Sequence, residues 1–303
     1  MKCSGYTLVQ LLVALTLAGL LLGAFATVHG RARQAVSRIE SLAAVQDTLV
    51  QAMGYIAGDL RQAGYLGLAG TSERIAGVAG PSEPVVLPVT GDCGTNFSLQ
   101  LGRPVEALDG RYALDCAPRG VPQAGADVLV LRRLASGTSR PESGRLQAGL
   151  SLGGGSLFID APPSDVEEIR DLVTSVYYVA TPRGGGQPVL RRKTLVRGPR
   201  LVDEEIAPGV ADLQVQLGID LDGGPQPASA SAYVHPEDPR LAQPGVRVLA
   251  VRIWLLAETA APAGAVAPVV PAYAGRPMVL AAPRRSRNLL VQTFYLPNSE
   301  GLP

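Results

Sequence analysis

The residue types that carry most enzyme chemistry are few in this chain and badly spaced for it. Its two histidines are His29, at the end of an apolar run, and His235, in a proline-containing stretch, so the pair lacks metal-ligand spacing. There is no Gly-x-Ser-x-Gly elbow and no phosphate loop ending in Gly-Lys-Ser/Thr. Asp220 and Asp222 before Gly223 open like a calcium loop, yet the twelfth position holds Ser231 where a closing carboxylate is needed. They are weak metal candidates, with an Asx-type turn as the plainer reading. Gly153–Gly155 and Gly184–Gly186 read as turns. The expectation is a protein that is not an enzyme and holds no cofactor.

Of three cysteines, Cys3 precedes the apolar run, which leaves Cys93 and Cys116 as a pair in the body. A bridge between them would close a loop of about 24 residues and constrain the unfolded chain by about 3 kcal/mol. Two buried free thiols are the alternative. A formal charge of +1 over 303 residues argues against a body built for nucleic acid, which needs concentrated basic surface. Arg191-Arg192-Lys193 with Arg197 and Arg200, and Arg284-Arg285 with Arg287, read as solvated charge clusters.

These residues need elements to position them, and the clearest element is N-terminal. No charge occurs from Ser4 to Val28, and the eighteen positions Leu11–Val28 make roughly 27 Å of helix, close to the hydrocarbon thickness of a bilayer. His29-Gly30-Arg31-Ala32-Arg33 follows, with no small-residue secretory cleavage site. Arg31, Arg33 and Arg38 after the span outnumber Lys2 before it, which by the positive-inside rule alone would leave the body in the cytoplasm. Beyond the span, Ala35, Ile39, Leu42, Val45, Leu49, Met53, Ile56 and Leu60 recur every three or four residues, one apolar helical stripe. Gly64 is a C-terminal stop. The pattern predicts one helix from about Tyr6 to about Ala63.

The run Lys2-Cys3-Ser4-Gly5-Tyr6-Thr7-Leu8-Val9-Gln10-Leu11-Leu12-Val13-Ala14-Leu15 resembles the class III signal of type IV pilins and pseudopilins. The resemblance implies cleavage by a prepilin peptidase between Gly5 and Tyr6, with the apolar segment retained and the body exported, against the charge count. Where that family usually has a glutamate as fifth mature residue, this chain has Gln10. A carboxylate there would pair with a neighbouring subunit's amine; Gln can hydrogen-bond but cannot neutralise it, which implies limited incorporation. A coiled coil would share the outer stripe. Asp59-Leu60-Arg61-Gln62-Ala63-Gly64-Tyr65, however, resembles the helix end of PilW-type minor pilins, with Gly58 where their run starts with arginine.

From Ala69 onward, Gly- and Pro-rich sequence broken into short runs reads as strands and long loops. Asp127–Arg133, Asp171–Ala180, its partner Pro188–Arg192, Val246–Leu256 and Asn288–Tyr295 are strand candidates. Leu213, Val215, Leu217 and Ile219 alternate with polar or small residues, predicting one buried and one wet face. Ala126–Leu129, Tyr177–Val179, Gly209–Val215, Asp220–Gly224 and Arg287-Asn288 are similar, in order, to PilW-type segments; 69–119 and 261–277 look like insertions. The expected fold is α+β and type IV pilin-like: a leader (1–5), a long N-terminal helix (6–63) whose first half spans the membrane, and an antiparallel β-sheet head with long loops (64–303).

The resemblance implies a single-pass inner-membrane protein with a periplasmic head that helps initiate a type IV pilus, its tip complex included. Implied partners are other minor pilins, the major pilin, the assembly platform, a tip adhesin and prepilin peptidase. A type II secretion pseudopilin, or an adhesin head binding a ligand through 69–119, are the alternatives.

Overall fold

The uncharged run and the stripe behind it fold as one element. Helix α1 spans Leu8–Leu60, 53 residues, about 80 Å at ~1.5 Å per residue. The computed structural model describes residues 8–221, 229–260, 269–275, 279–280 and 285–298. The expected cleavage point at Gly5 and Tyr6, the second acidic candidate Asp222, and part of the 261–277 segment lie outside them. Residues 8–40 of the helix are all exposed, while Val45, Leu49, Met53, Ile56 and Leu60 are buried in the head. The stripe therefore divides: Ala35, Ile39 and Leu42 continue it beyond the head without cover. The helix stops at Leu60, short of Ala63, because the Gln62 and Ala63 amides turn to the i−3 carbonyls of Asp59 and Leu60. Gly64 then takes a left-handed φ of 74° and sends its N–H to the Arg132 carbonyl.

Fifteen strands follow among the described residues. β1 (Ile75–Ala76), β2 (Val105–Leu108), β3 (Val121–Pro122), β4 (Val128–Leu134), β5 (Gln147–Ser151), β6 (Gly154–Phe158), β7 (Glu168–Thr181), β8 (Val189–Val196) and β9 (Arg200–Pro208) form a nine-stranded sheet. It is antiparallel except where β1 meets β6. β10 (Val210–Asp220), β11 (Ala232–Val234), β12 (Arg247–Ala260), the ribbon pair β13 (Val269–Val270) and β14 (Val279–Leu280), and β15 (Arg285–Tyr295) complete the chain. The second sheet has the order β11-β10-β12-β15. The head thus has two main sheets where the sequence suggested one.

The unbroken apolar run Val128–Leu131 means that β4 is buried on both faces. Leu129 and Leu131, with Tyr177 and Val179 of β7, face a core shared with helix α1 and with Leu213, Val215, Ile253 and Leu255 of the second sheet. Val128, Val130, Val176 and Tyr178 face the other way, against Phe97, Cys93 and Cys116. Segment 69–119 therefore adds β1 and β2 to the nine-stranded sheet and covers its outer face with the rest, and is not an appendage.

Asp127 joins the two sheets. Its N–H donates to the Leu213 carbonyl, and its carboxylate accepts from the Gly110 and Val215 amides, each at 2.8 Å. Gln214, expected on a wet face, is buried because its amide donates to the Gly125 carbonyl in this seam. Of the expected Gly153–Gly155 turn, only Gly153 lies outside β6. Gly155 is inside it, where a Cβ would come within 2.5 Å of the Gly149 carbonyl oxygen.

Candidate assembly interface and the joint behind it

The first half of α1 is long and apolar enough to cross a membrane and is unburied. Gln10, Ala14 and Ala18 follow one another at four-residue intervals and so share one helix face. Gly19 and Gly23 add positions where a Cβ would meet nothing within 4 Å. A surface of small residues lets another helix backbone approach closely. Gln10 sits at that approach, where it offers an amide and no charge.

A surface on one half of a helix can act at a distance only if the other half is held rigidly to the head. Asp59, in the last turn of α1, supplies the hold. Its Oδ2 accepts from the Tyr177 hydroxyl at 2.8 Å, and its Oδ1 accepts from Arg133 Nη2 at 3.1 Å. Arg192 Nη1 stands 4.0 Å away, its guanidinium carbon 5.7 Å from the Tyr55 ring centroid. Burial, then the adjacent Asp59 carboxylate, pushes the Tyr177 phenol well above its ordinary value, so it stays a donor.

One turn further on, the Leu134 amide donates to the Tyr65 carbonyl at 2.8 Å, and Arg170 lies 5.1 Å from the Tyr65 ring centroid. Arg170 binds Glu168 at 2.5 Å, and Glu168 accepts from the Leu68 amide at 3.0 Å. Gly67 fits against this pair because it has no side chain: a Cβ would come within 2.5 Å of Glu168 Oε1. The run Asp59–Gly67 is thus the joint between helix and sheet.

Arg132, fully buried, donates to the Phe97 and Arg103 carbonyls and to Glu106. Its guanidinium carbon lies 4.4 Å from the Phe97 ring centroid. Four donations and contacts of this kind let a buried cation hold the covering layer to β4. Cys93 and Cys116 are bridged within that layer. The Tyr112 hydroxyl donates to the Cys116 carbonyl at 2.9 Å.

The basic cluster Arg191-Arg192-Lys193 is not a solvated face. Arg191 and Lys193 are buried and pair with Asp203 at 2.7 and 3.4 Å, while Arg192 binds Glu204 at 2.5 Å. The register sets Arg191, Arg192 and Lys193 opposite Glu205, Glu204 and Asp203. A signal for this was present in the sequence: a basic triplet mirrored by an acidic triplet about Gly198 is what an antiparallel hairpin with cross-strand ion pairs requires. Arg285 and Arg287 are likewise paired, both with the buried Glu258.

Asp220 is buried and its carboxylate pairs with Arg247 at 3.1 Å. His29 stacks on Phe25 with ring centroids 5.8 Å apart. Among the described residues no three metal-ligating side chains come together. That Tyr177, Arg133, Arg170 and Glu168 form the joint carried no signal in the sequence, since their roles depend on where the helix end lands.

The model of the PilW family, described as type IV pilus-assembly protein W, matches residues 176–298, from within β7 to just past β15. A solved structure of a type IV-like pilin from Thermus thermophilus is similar with a TM-score of 0.42 at 13% identity, covering 84% of this chain and 97% of that one. No curated protein matches.

Proposed function

We propose that this PilW-type, pilin-like chain is a minor pilin. It is anchored in the inner membrane by the first half of α1, with its head in the periplasm, and joins the helix bundle that starts or caps a type IV pilus. The observation that carries this reading is the division of α1: residues 8–40 are exposed while the second half is locked into the head. Apolar surface of that extent has to be covered by lipid before assembly and by neighbouring helices after it. The work is non-covalent. Its partners are other minor pilins, the major pilin, the assembly platform and, as processing enzyme, prepilin peptidase. Gln10 supports a place at a filament end, where one subunit joins once.

Intact mass and N-terminal sequencing of the protein expressed with and without prepilin peptidase test the reading. A mature chain that begins at Tyr6 only when the peptidase is present supports it. A chain that keeps Met1, or is cut after His29, overturns it.

A further inference from the structure

We propose that Arg31, Arg33 and Arg38 form a binding surface for the phosphate headgroups of anionic lipids, in the leaflet on the head's side of the membrane. The inference rests on the membrane-anchored reading above. The uncharged part of α1 ends at Val28, so Arg31 and Arg33 lie roughly 4.5 and 7.5 Å beyond it, within or at the edge of a headgroup layer about 5–7 Å deep. Arg38 lies about 15 Å out. Side chains on a helix lean toward its N-terminus, which here is toward the membrane, and long arginine stems carry their charge further that way.

The three guanidinium groups are exposed and meet no carboxylate among the described residues. The helix itself offers none nearby: no acid stands three or four positions from any of the three arginines, and Glu40, on the face of Arg33, lies seven residues and roughly 10 Å further along the axis. Arg31, Arg38, Val45 and Ala52 are spaced by seven residues, so they drift by only about 20° per step. Val45 and Ala52 are buried under the head. Arg31 and Arg38 therefore point into the space between the head and the bilayer, where lipid phosphates are the nearest dense source of negative charge, while Arg33, about 160° round the helix from Arg31, meets the headgroups on its other side. This also accounts for basic residues on the side that the positive-inside rule disfavours: a fixed anion offsets them.

The test uses the full-length protein in phosphatidylcholine vesicles that contain spin-labelled phosphatidylglycerol or, in parallel, spin-labelled phosphatidylcholine. A basic residue near the surface is worth about fivefold in anionic-lipid binding. The wild type should therefore prefer phosphatidylglycerol severalfold, and the preference should fall toward one in the R31Q/R33Q/R38Q variant. It should survive added inorganic phosphate, which distinguishes the bilayer headgroup from a free anion. No preference in the wild type, or an unchanged preference in the variant, overturns the proposal. So does a variant that keeps its lipid preference but no longer co-purifies with partner pilins, which would assign the arginines to a protein. Failure of the wild type to co-sediment with vesicles would instead overturn the membrane-anchored reading itself.

Discussion

The Tyr177 hydroxyl donates to Asp59 Oδ2 at 2.8 Å, tying β7 to the last turn of α1 across 118 residues of sequence. Asp59 also takes Arg133 from β4. One carboxylate thus connects the helix to two neighbouring strands.

Asp59→Ala should cost about 3 kcal/mol, since it leaves the Arg133 cation without its counter-charge in a nearly buried site and the Tyr177 hydroxyl with only the Tyr55 carbonyl at 3.2 Å. Tyr177→Phe should cost about 1 kcal/mol, the net worth of a hydrogen bond whose acceptor keeps a second partner. Urea unfolding of the two single variants and the double variant reads the coupling. Additive losses would show that the two side chains do not act together.

Replacing Cys93 and Cys116 by Ser should lower stability by about 3 kcal/mol, the entropy recovered by the unfolded chain when the loop opens. Reductant should shift the unfolding midpoint of the wild type and leave that of the double variant unmoved. The loss should appear first in the 69–119 layer, seen as faster amide hydrogen exchange there than in β10 and β12.

The hydrogen bond from Arg170 holds the Glu168 carboxyl below its ordinary value of 4.5. A lowered acid stabilises the folded state fully above its unfolded value, and that contribution is lost as pH falls through the lowered folded value. Glu168→Gln should therefore be less stable than the wild type at neutral pH, with the difference shrinking below about pH 4.5. Midpoints of urea unfolding measured from pH 7 down to pH 3 check this; a gap that stays constant would remove Glu168 from the acid response.

Gln10→Glu should raise the amount of this subunit recovered in sheared pili severalfold, because a carboxylate can neutralise a neighbouring amine in the filament core and an amide cannot. Quantitative immunoblotting of the pilus fraction measures it. An unchanged amount would mean that residue 10 does not limit incorporation.

Local pattern determined a good deal of this protein. The uncharged run and the stripe behind it dictate one long helix, because helical periodicity is written in consecutive residues. The run Val128–Leu131 was legible as a strand, and the alternation Leu213–Ile219 supplied the inner face of the second sheet. The cysteine pair was legible as a pair.

What only the tertiary structure decided are the places where distant segments meet. Sequence periodicity cannot say that the stripe becomes buried at Val45 and stays bare at Ile39, because that depends on how far down the helix the two sheets reach. Nor can it say that 69–119 becomes a layer, that Arg132 is buried, or that Asp59 finds Tyr177. Each depends on partners 26 to 118 residues away. A side chain's charge and shape are local properties, whereas its burial and its partner are set by strand register and by the angle at which the helix enters the head.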